Sequence, residues 1–289
     1  MNYRHHYHAG NFADVLKHAL VLQLVAAMQR KPKGFLYLDT HAGRGGYDLS
    51  IAQQGDTLAR KPEWPEGIGR LRRAGELPAV LQDYVTAVQE HDLQQGNGGA
   101  EPRFYPGSPT LVGARLREQD RMALCERQTE ECAILRTAMA RTPRCVVHEM
   151  DGYRAMRAML PPPERRALVL IDPPFESERE FADITQAVET GLRRLPDAVI
   201  AIWYPLTKRA RVEAFAAALR KLALPPTLVA ELEVADEASD LKMRGCGLVV
   251  INPPWQLEAT IKPGLKALAE LLAQGPGARS TCLWLEPER

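Results

Sequence analysis

Residues 167–175 read Ala-Leu-Val-Leu-Ile-Asp-Pro-Pro-Phe, five aliphatic residues followed by an acid, two prolines and an aromatic ring. An apolar run without a polar interruption is typical of a strand that is buried on both faces of a parallel sheet. The strand must end at Pro173, because proline cannot donate to a hydrogen-bond ladder. The stretch therefore predicts an α/β fold with Asp172 at the carboxyl end of a central strand.

The carboxylate of Asp172 and the carbonyl of Pro173 form a rigid row of acceptors, because the proline rings restrict the backbone. An amine on an aromatic ring is a weak nucleophile, since its lone pair is delocalised into the ring. Two acceptors that bind both N–H groups favour the pyramidal geometry that frees this pair. Phe175 can stack on the ring, as aromatic residues hold flipped bases. The motif predicts methylation of a base, although a strand that simply ends at a Pro-rich turn fits the same residues.

A second predicted strand, residues 35–38, ends at Asp39 and runs into a turn that contains Gly43 and Gly45. Glycine lets the backbone approach a ligand closely at the carboxyl end of a strand. An acid followed by glycine four and six residues later fits a site for S-adenosylmethionine (SAM). The dinucleotide pattern G-x-G-x-x-G is missing, which opposes an NAD-dependent oxidoreductase.

Two further predicted strands end at acidic residues. Residues 121–124 lead to Glu126, and residues 145–147 lead to Asp151 and Gly152. Acids at successive strand ends can bind ribose hydroxyls and an adenine amino group. Four such ends in this order strengthen the prediction of a SAM site.

Residues 252–255, Asn-Pro-Pro-Trp, repeat the polar-Pro-Pro-aromatic pattern after another apolar run. A polar loop of about a dozen residues joins segments 227–234 and 247–252, which is too short for a crossover helix. The two segments should therefore be antiparallel, and the second should end at the edge opposite the cofactor. We interpret residues 252–255 as structural.

The composition is that of a globular protein, with 45% hydrophobic and 25% charged residues among 289. A net charge of +1 argues against a purely electrostatic nucleic-acid binder, though it permits local basic patches. The five cysteines are scattered and lack Cys-x-x-Cys spacing, so neither disulfides nor a zinc site is predicted. The His-rich N-terminus is not signal-like, and no apolar run of membrane-spanning length stands out. We expect a cytoplasmic protein without metal.

Residues 11–30 have a helical pattern, and a solvated face is the favoured interpretation of Asp14, Lys17 and His18. More than seventy residues separate Gly45 from the strand near Met122, so something is inserted there.

We predict a methyltransferase domain of residues 1–52 and 105–289, with a helical subdomain of residues 53–104. A helix is predicted at residues 79–91 of this insertion, and Arg70, Arg72 and Arg73 suggest a basic edge.

Ser108 before Pro109 predicts a helix cap, with the helix running to about Gln119. A strand at residues 198–203 would place Trp203 and Tyr204 beside the base pocket. The cations that follow can contact phosphates or remain solvated; they are Lys208, Arg209 and Arg211.

The chain resembles the RlmJ family of SAM-dependent methyltransferases, which modify N6 of one adenine in 23S ribosomal RNA. The resemblance covers essentially the full length, and the N-terminal block is its most specific part. Its motifs lie at residues 3–5, 8–11, 13–18, 37–43, 105–109 and 252–255.

This resemblance implies a Rossmann-like, mostly parallel sheet with a helical insertion. Asp172 would contact SAM and also accept hydrogen bonds from the target amine, and Tyr3 would contact the 23S rRNA. The family pattern usually has tyrosine after the two prolines, where this chain has Phe175. The other implied SAM contacts are Lys17, His18, His41, Ser108, Glu126, Asp151 and Gly152.

We expect a monomer that transfers the methyl group directly, in line and without a covalent intermediate. Two alternatives stay open. A DNA adenine-N6 methyltransferase would share this chemistry, and a nucleic-acid-binding protein for DNA uptake or use could keep the fold without activity. The presence of Asp172 and of Gly43 opposes the second alternative.

Overall fold

The computed structural model describes residues 7–53 and 61–287, which form a mixed α/β fold. The helices are α1 Phe12–Gln29, α2 Leu49–Gln53, α3 Ile68–Arg73, α4 Ala79–Gln94, α5 Ser108–Gly113, α6 Thr129–Ala138, α7 Gly152–Met159, α8 Glu180–Arg194, α9 Arg209–Arg220 and α10 Leu257–Leu271. The strands are β1 Leu36–Asp39, β2 Gly46–Asp48, β3 Phe104–Pro106, β4 Arg121–Glu126, β5 Cys145–Glu149, β6 Ala167–Ile171, β7 Val199–Leu206, β8 Thr227–Glu233, β9 Gly245–Ile251 and β10 Arg279–Glu286.

The central sheet has the order β10-β8-β9-β7-β6-β1-β4-β5. Strand β1 pairs in parallel with β4 on one side and with β6 on the other. The sheet strands β4 and β5, which follow β1, lie on one side, and the strands after β6 lie on the other, so a crevice forms at the carboxyl ends of β1 and β6. Asp39 and Asp172 stand on either side of this crevice. The predicted mostly parallel sheet flanked by helices is confirmed.

Strand β6 has the predicted bounds, and its five residues are at most 1% exposed. Leu168 and Leu170 pack into the hydrophobic cluster that contains α1, α4 and α10. Val169 and Ile171 pack into the cluster on the opposite face, which contains α7, α8 and α9. Helices on both faces explain why the strand lacks a polar side.

Helix α1 is a core helix. Asn11 caps it by accepting hydrogen bonds from the amides of Ala13 and Asp14 at 2.9 and 3.0 Å. By length and composition alone the helix could cross a membrane, contrary to the sequence expectation, yet 78% of it is buried inside the protein. Lys17 and His18 are only 5% and 2% exposed, so the prediction of a solvated face was wrong.

The insertion begins and ends at a pair of short strands, because β2 and β3 pair antiparallel. Helix α4 was predicted, and its apolar face joins the same hydrophobic cluster as α1. The predicted boundaries at residues 53 and 104 fall beside this strand pair, and the division into two domains stays a prediction.

The predicted basic edge of the insertion is reduced to Arg73, which is exposed, because Arg70 and Arg72 pair with acidic side chains. Arg72 pairs at 2.8 Å with the buried Asp92. Arg70 donates to the carbonyl of Ala273 at 2.6 Å, and Arg73 donates to the carbonyl of Pro65 at 3.0 Å. These side chains hold the insertion together.

The bounds of α5 and β7 differ from prediction in ways that affect the site. Helix α5 ends at Gly113 rather than near Gln119, and its N-cap is Gly107, so Ser108 is not the cap. Strand β7 continues through Tyr204 to Leu206. The antiparallel pairing of β9 with β7 supports this extension, since Tyr204 lies opposite Gly247.

Strand β9 is antiparallel to both β8 and β7, as the short loop predicted. Asn252 therefore lies at the edge opposite Asp172. Its side-chain amide donates to the carbonyls of Pro196 and Ala198 at 2.7 and 2.9 Å, and its φ is +53°. The second tetrapeptide ties two loops together.

We expect Asn252→Ala to keep the methyl-transfer rate of the wild type while lowering the free energy of unfolding by about 1–3 kcal/mol, because two hydrogen bonds of about 0.5–1.5 kcal/mol each are lost. Urea unfolding and a transfer assay measure the two quantities separately. A folded variant without activity would contradict the structural role.

Candidate active site

Asp172 is held by a lysine from α1. Its Oδ2 accepts a hydrogen bond from Nζ of Lys17 at 2.6 Å, and the same Nζ donates to Oδ1 of Asp14 at 2.8 Å. The side chains of Lys17, Asp14 and Asp172 are 6%, 3% and 17% exposed. Asp14 and Lys17 are three residues apart and therefore share one face of the helix.

Charge pairing keeps the Lys17 ammonium protonated. Burial disfavours the charged form of Lys17, but the carboxylates of Asp14 and Asp172 outweigh it and hold the pKa of the lysine well above its usual range. Oδ1 of Asp172 has no hydrogen-bond donor among the residues that the structure describes. Lys17 thus fixes the orientation of the carboxylate and leaves one of its oxygens to accept from a ligand.

Asp39, on the other side of the crevice, is fully buried. Its carboxylate accepts hydrogen bonds from the hydroxyls of Ser108 and Tyr37 at 2.7 and 3.0 Å and from the amide of His41 at 3.2 Å. Burial raises its pKa from 3.8 to about 6; the Ser108 hydrogen bond opposes the rise and the charge of Asp172 adds to it. Ser108 therefore supports Asp39 instead of capping α5.

A raised pKa means that the folded protein binds this proton more tightly than the unfolded chain. We expect the contribution of Asp39 to be most favourable below pH about 4 and to be lost as the pH rises through about 6, a change of about 3 kcal/mol. Unfolding free energies at pH 4 and 7.5 should show this fall in the wild type and not in Asp39→Asn. An equal fall in both proteins would contradict the assignment.

Glu126, at the end of β4, shapes the glycine turn. Its two carboxylate oxygens accept hydrogen bonds from the amides of Gly43 and Gln128 at 3.0 and 2.7 Å. Gly43 has a φ of +61°, which a side chain would strain. Burial raises the pKa of Glu126, and these two hydrogen bonds oppose the rise. The predicted glycine turn is thus hydrogen-bonded to the predicted acid, Glu126.

Asp151 and Gly152 begin α7 beside the end of β1. Asp151 caps the helix by accepting from the amide of Tyr153 at 2.9 Å. A Cβ on Gly152 would lie 1.8 Å from the carbonyl oxygen of Thr40, so only glycine allows this approach. The ring of His41 meets the ring of Tyr153 edge to face, with their centroids 5.0 Å apart. Burial lowers the pKa of His41 to about 4, although the charge of Asp151 opposes this shift.

We expect Gly152→Ala to displace α7 from Thr40 and to weaken SAM binding at least tenfold, because the added methyl meets backbone. Calorimetric titration measures the affinity. Gly75→Ala is the matched control, since nothing lies within 4 Å of its added Cβ. Equal SAM affinity in both variants would contradict this account.

Aromatic rings form one wall of the site beside Asp172. Phe175, with a φ of +51°, lies 5.7 Å from the ring of Trp203 and 5.1 Å from that of Phe181. Nζ of Lys17 lies 6.0 Å from the Trp203 ring centroid. Trp203 and Phe175 are partly exposed and can contact a planar ligand.

The structure argues against Tyr204 as a substrate contact. Tyr204 is 1% exposed, and its hydroxyl donates to Glu231 at 2.7 Å. Successive residues of a strand face opposite sides of the sheet, so Trp203 and Tyr204 cannot line the same pocket. Only the pairing of β7 within the sheet shows that Trp203, and not Tyr204, faces Lys17.

The three predicted phosphate-binding cations differ in availability. Arg209 pairs with Glu231 and Glu233, each at 2.8 Å, and is not available for phosphates. Lys208 and Arg211 are exposed, and Arg211 lies 6.0 Å from the ring centroid of Phe181. Tyr3, the other predicted RNA contact, lies outside the described residues.

The crevice suits a cationic ligand with ribose hydroxyls. Acidic side chains stand at four neighbouring strand ends, and Gly43 and Gly152 let backbone approach closely. No group of His, Cys, Asp or Glu that could hold a metal ion occurs within residues 7–53 and 61–287. These carboxylates fit SAM, because its sulfonium is positive and its ribose hydroxyls can donate to them.

Comparisons with known proteins agree with this geometry. Residues 32–285 match the family model described as Ribosomal RNA large subunit methyltransferase D, RlmJ. Two proteins named Ribosomal RNA large subunit methyltransferase J, from Escherichia coli K12 and Haemophilus influenzae Rd, are 35% and 37% identical over 288 residues, which is 100% of each chain. The crystal structure of protein LPL1258 from Legionella pneumophila matches with a TM-score of 0.84 at 33% identity, over 96% of this chain and 97% of that one.

Proposed function

Because this chain belongs to the RlmJ family of ribosomal RNA large subunit methyltransferases, we propose that it methylates the exocyclic N6 of an adenine in 23S ribosomal RNA. The methyl donor would be SAM. The observation that carries the proposal is the Asp172 carboxylate, which Lys17 holds beside the aromatic wall of Phe175 and Trp203.

In this proposal Asp172 and the carbonyl of Pro173 accept hydrogen bonds from the adenine amine. Oδ1 of Asp172 serves this purpose, since Lys17 occupies Oδ2. Phe175 stacks on the base, and Trp203, whose ring is inclined by 68° to that of Phe175, contacts its edge. Together they align the nitrogen, so that orientation supplies most of the rate enhancement. SAM, when bound, supplies an electrophilic methyl group on its sulfonium. The methylated amine is acidic, and its proton passes to Asp172 or to water.

The cofactor would lie across the carboxyl ends of β1, β4 and β6. Glu126 suits the ribose hydroxyls, because its carboxylate lies at the end of β4 beside the glycine turn. Asp39 organises the turn by holding Ser108 and His41. The proposed SAM contacts are Lys17, His18, Asp39, His41, Gly43, Ser108, Glu126, Asp151, Gly152 and Asp172.

An RNA substrate is favoured over DNA by the family membership, since the amine chemistry is the same for both. Lys208 and Arg211, exposed near Phe181, offer phosphate contacts. A non-catalytic binding protein is opposed by the ordered Lys17–Asp172 pair, which a protein without transfer activity would not need. We further propose that the enzyme acts as a monomer in the cytoplasm, where ribosomal RNA is found.

A substrate panel tests the proposal. The purified protein is titrated with SAM by calorimetry and is then given labelled SAM with unmodified 23S rRNA transcript, 16S rRNA transcript or duplex DNA. We expect SAM binding and label transfer to the 23S transcript only. Transfer to duplex DNA instead would favour the DNA methyltransferase, and SAM binding without any transfer would favour the binding protein.

A further inference from the structure

Three buried polar side chains connect the inserted helix α4 to α1. The hydroxyl of Tyr84 lies 2.9 Å from the hydroxyl of Tyr105, which lies 2.7 Å from Nδ1 of His18. Tyr84 and Tyr105 are fully buried, and His18 is 2% exposed. Because these side chains are buried, the protein groups that bond to them, rather than bulk water, determine the positions of the two tyrosine hydrogens.

The direction of these hydrogen bonds follows from the single hydrogen that each tyrosine hydroxyl can donate. Within the described residues, the hydroxyl of Tyr84 has Tyr105 as its hydrogen-bond partner. If Tyr84 accepted this bond, its own hydrogen would be buried without an acceptor, which native proteins rarely tolerate. Tyr84 therefore donates to Tyr105, and Tyr105 in turn donates its single hydrogen to Nδ1 of His18.

Both phenols keep their hydrogens at neutral pH. Burial raises the pKa of Tyr84 far above its ordinary value of 10.0, although the bond with Tyr105 opposes the rise. Burial likewise raises the pKa of Tyr105, and the nearby Tyr84 and Asp14 add to it. Neither hydroxyl can act as an anionic acceptor.

On the basis of the proposed function, we infer that Tyr105, held by Tyr84 of the inserted helix, is a positioning residue that keeps His18 in the neutral tautomer with its hydrogen on Nε2. In this form the ring presents an N–H donor that suits an anionic group, such as the carboxylate of SAM. His18 follows Lys17 in α1, and Tyr105 precedes Ser108, which donates to Asp39. The insertion thereby shapes the cofactor site without contacting the cofactor.

The first test observes the tautomer in the full-length protein without cofactor. Long-range ¹H–¹⁵N correlation spectra at pH 7.5 distinguish the two neutral tautomers and the imidazolium, and His18→Gln assigns the signals. We expect the Nε2–H form in the wild type and a mixture of tautomers in Tyr105→Phe. An Nδ1–H form or an imidazolium in the wild type, or an unchanged pattern in Tyr105→Phe, would overturn the inference.

The second test measures SAM affinity. Loss of a neutral hydrogen bond predicts about tenfold weaker binding for Tyr105→Phe and about threefold for Tyr84→Phe, with kcat at saturating SAM close to wild type. Thr86→Val, which removes a hydroxyl from the same helix outside this chain of bonds, should change neither affinity nor spectrum. Wild-type affinity in both tyrosine variants would contradict the inference.

The two proposals fail in different ways. If the wild type binds no SAM, the proposed function fails, whereas the tautomer spectrum still decides the role of Tyr105. If SAM binding and transfer are intact but the His18 tautomer does not depend on Tyr105, only the inference about positioning fails.

Discussion

Asp172→Ala is expected to lower kcat for methyl transfer by at least about 10²–10³-fold, while the dissociation constant for SAM rises only a few-fold, because one of ten proposed contacts is lost. Removing a group that stabilises charge in a transition state has an effect of this size. Binding of SAM should persist, because Asp39 and Glu126 keep their hydrogen bonds to Ser108 and to the glycine turn. Single-turnover rates and calorimetry measure the two quantities.

Glu164→Ala is the matched control for this experiment. Glu164 is also an ion-paired carboxylate, bonded to Arg121 at 2.5 Å, but Arg121 begins β4 at the opposite edge of the sheet. The control should retain the wild-type rate. Near wild-type turnover in Asp172→Ala would mean that another group accepts the amine hydrogen bonds, and the assignment of Asp172 would be wrong.

Lys17→Met is expected to lower the free energy of unfolding by about 3–5 kcal/mol, because it leaves two neighbouring carboxylates in a poorly hydrated site without their counterion. For a chain of this size the melting temperature should fall by roughly 10 °C. Transfer should fall as well, since nothing else orients Oδ2 of Asp172 among the described residues. Thermal unfolding at pH 7.5 measures the first effect.

A double variant separates charge from packing. Asp14→Asn combined with Lys17→Met removes one uncompensated charge and should recover part of the lost stability, though not the transfer rate. Lys262→Met is the control, because Lys262 pairs with Glu258 on an exposed helix face and its loss should leave the melting temperature unchanged. If Lys17→Met melts like the wild type, the buried ion pair does not stabilise the fold.

Patterns within one element predicted the fold well. The apolar run of β6 gave its bounds, and the short loop before β9 gave its antiparallel direction. The placement of Asp39, Glu126 and Asp172 at one edge followed from the same logic, since carboxyl ends of parallel strands meet there. Strand burial and loop length are local properties, and a single sequence contains them.

Contacts between distant residues were missed. Lys17 and Asp172 are 155 positions apart, and a helix that is apolar on most sides gives no sign of which face holds a lysine partner. The expectation that both Trp203 and Tyr204 lie beside the base pocket failed for a similar reason, because the register of β7 depends on its pairing with β9. Arg72 of the insertion was assigned to a surface, whereas its ion pair with the buried Asp92 leaves its side chain only 11% exposed.

The most direct measurement is nucleoside mass spectrometry of unmodified 23S rRNA after reaction with the protein and labelled SAM. We expect labelled N6-methyladenosine at one position of the rRNA with the wild type, and no product with Asp172→Ala. Label on another base or another adenine atom, or equal product with the variant, would contradict the claim that Asp172 and the aromatic wall direct methyl transfer to adenine N6.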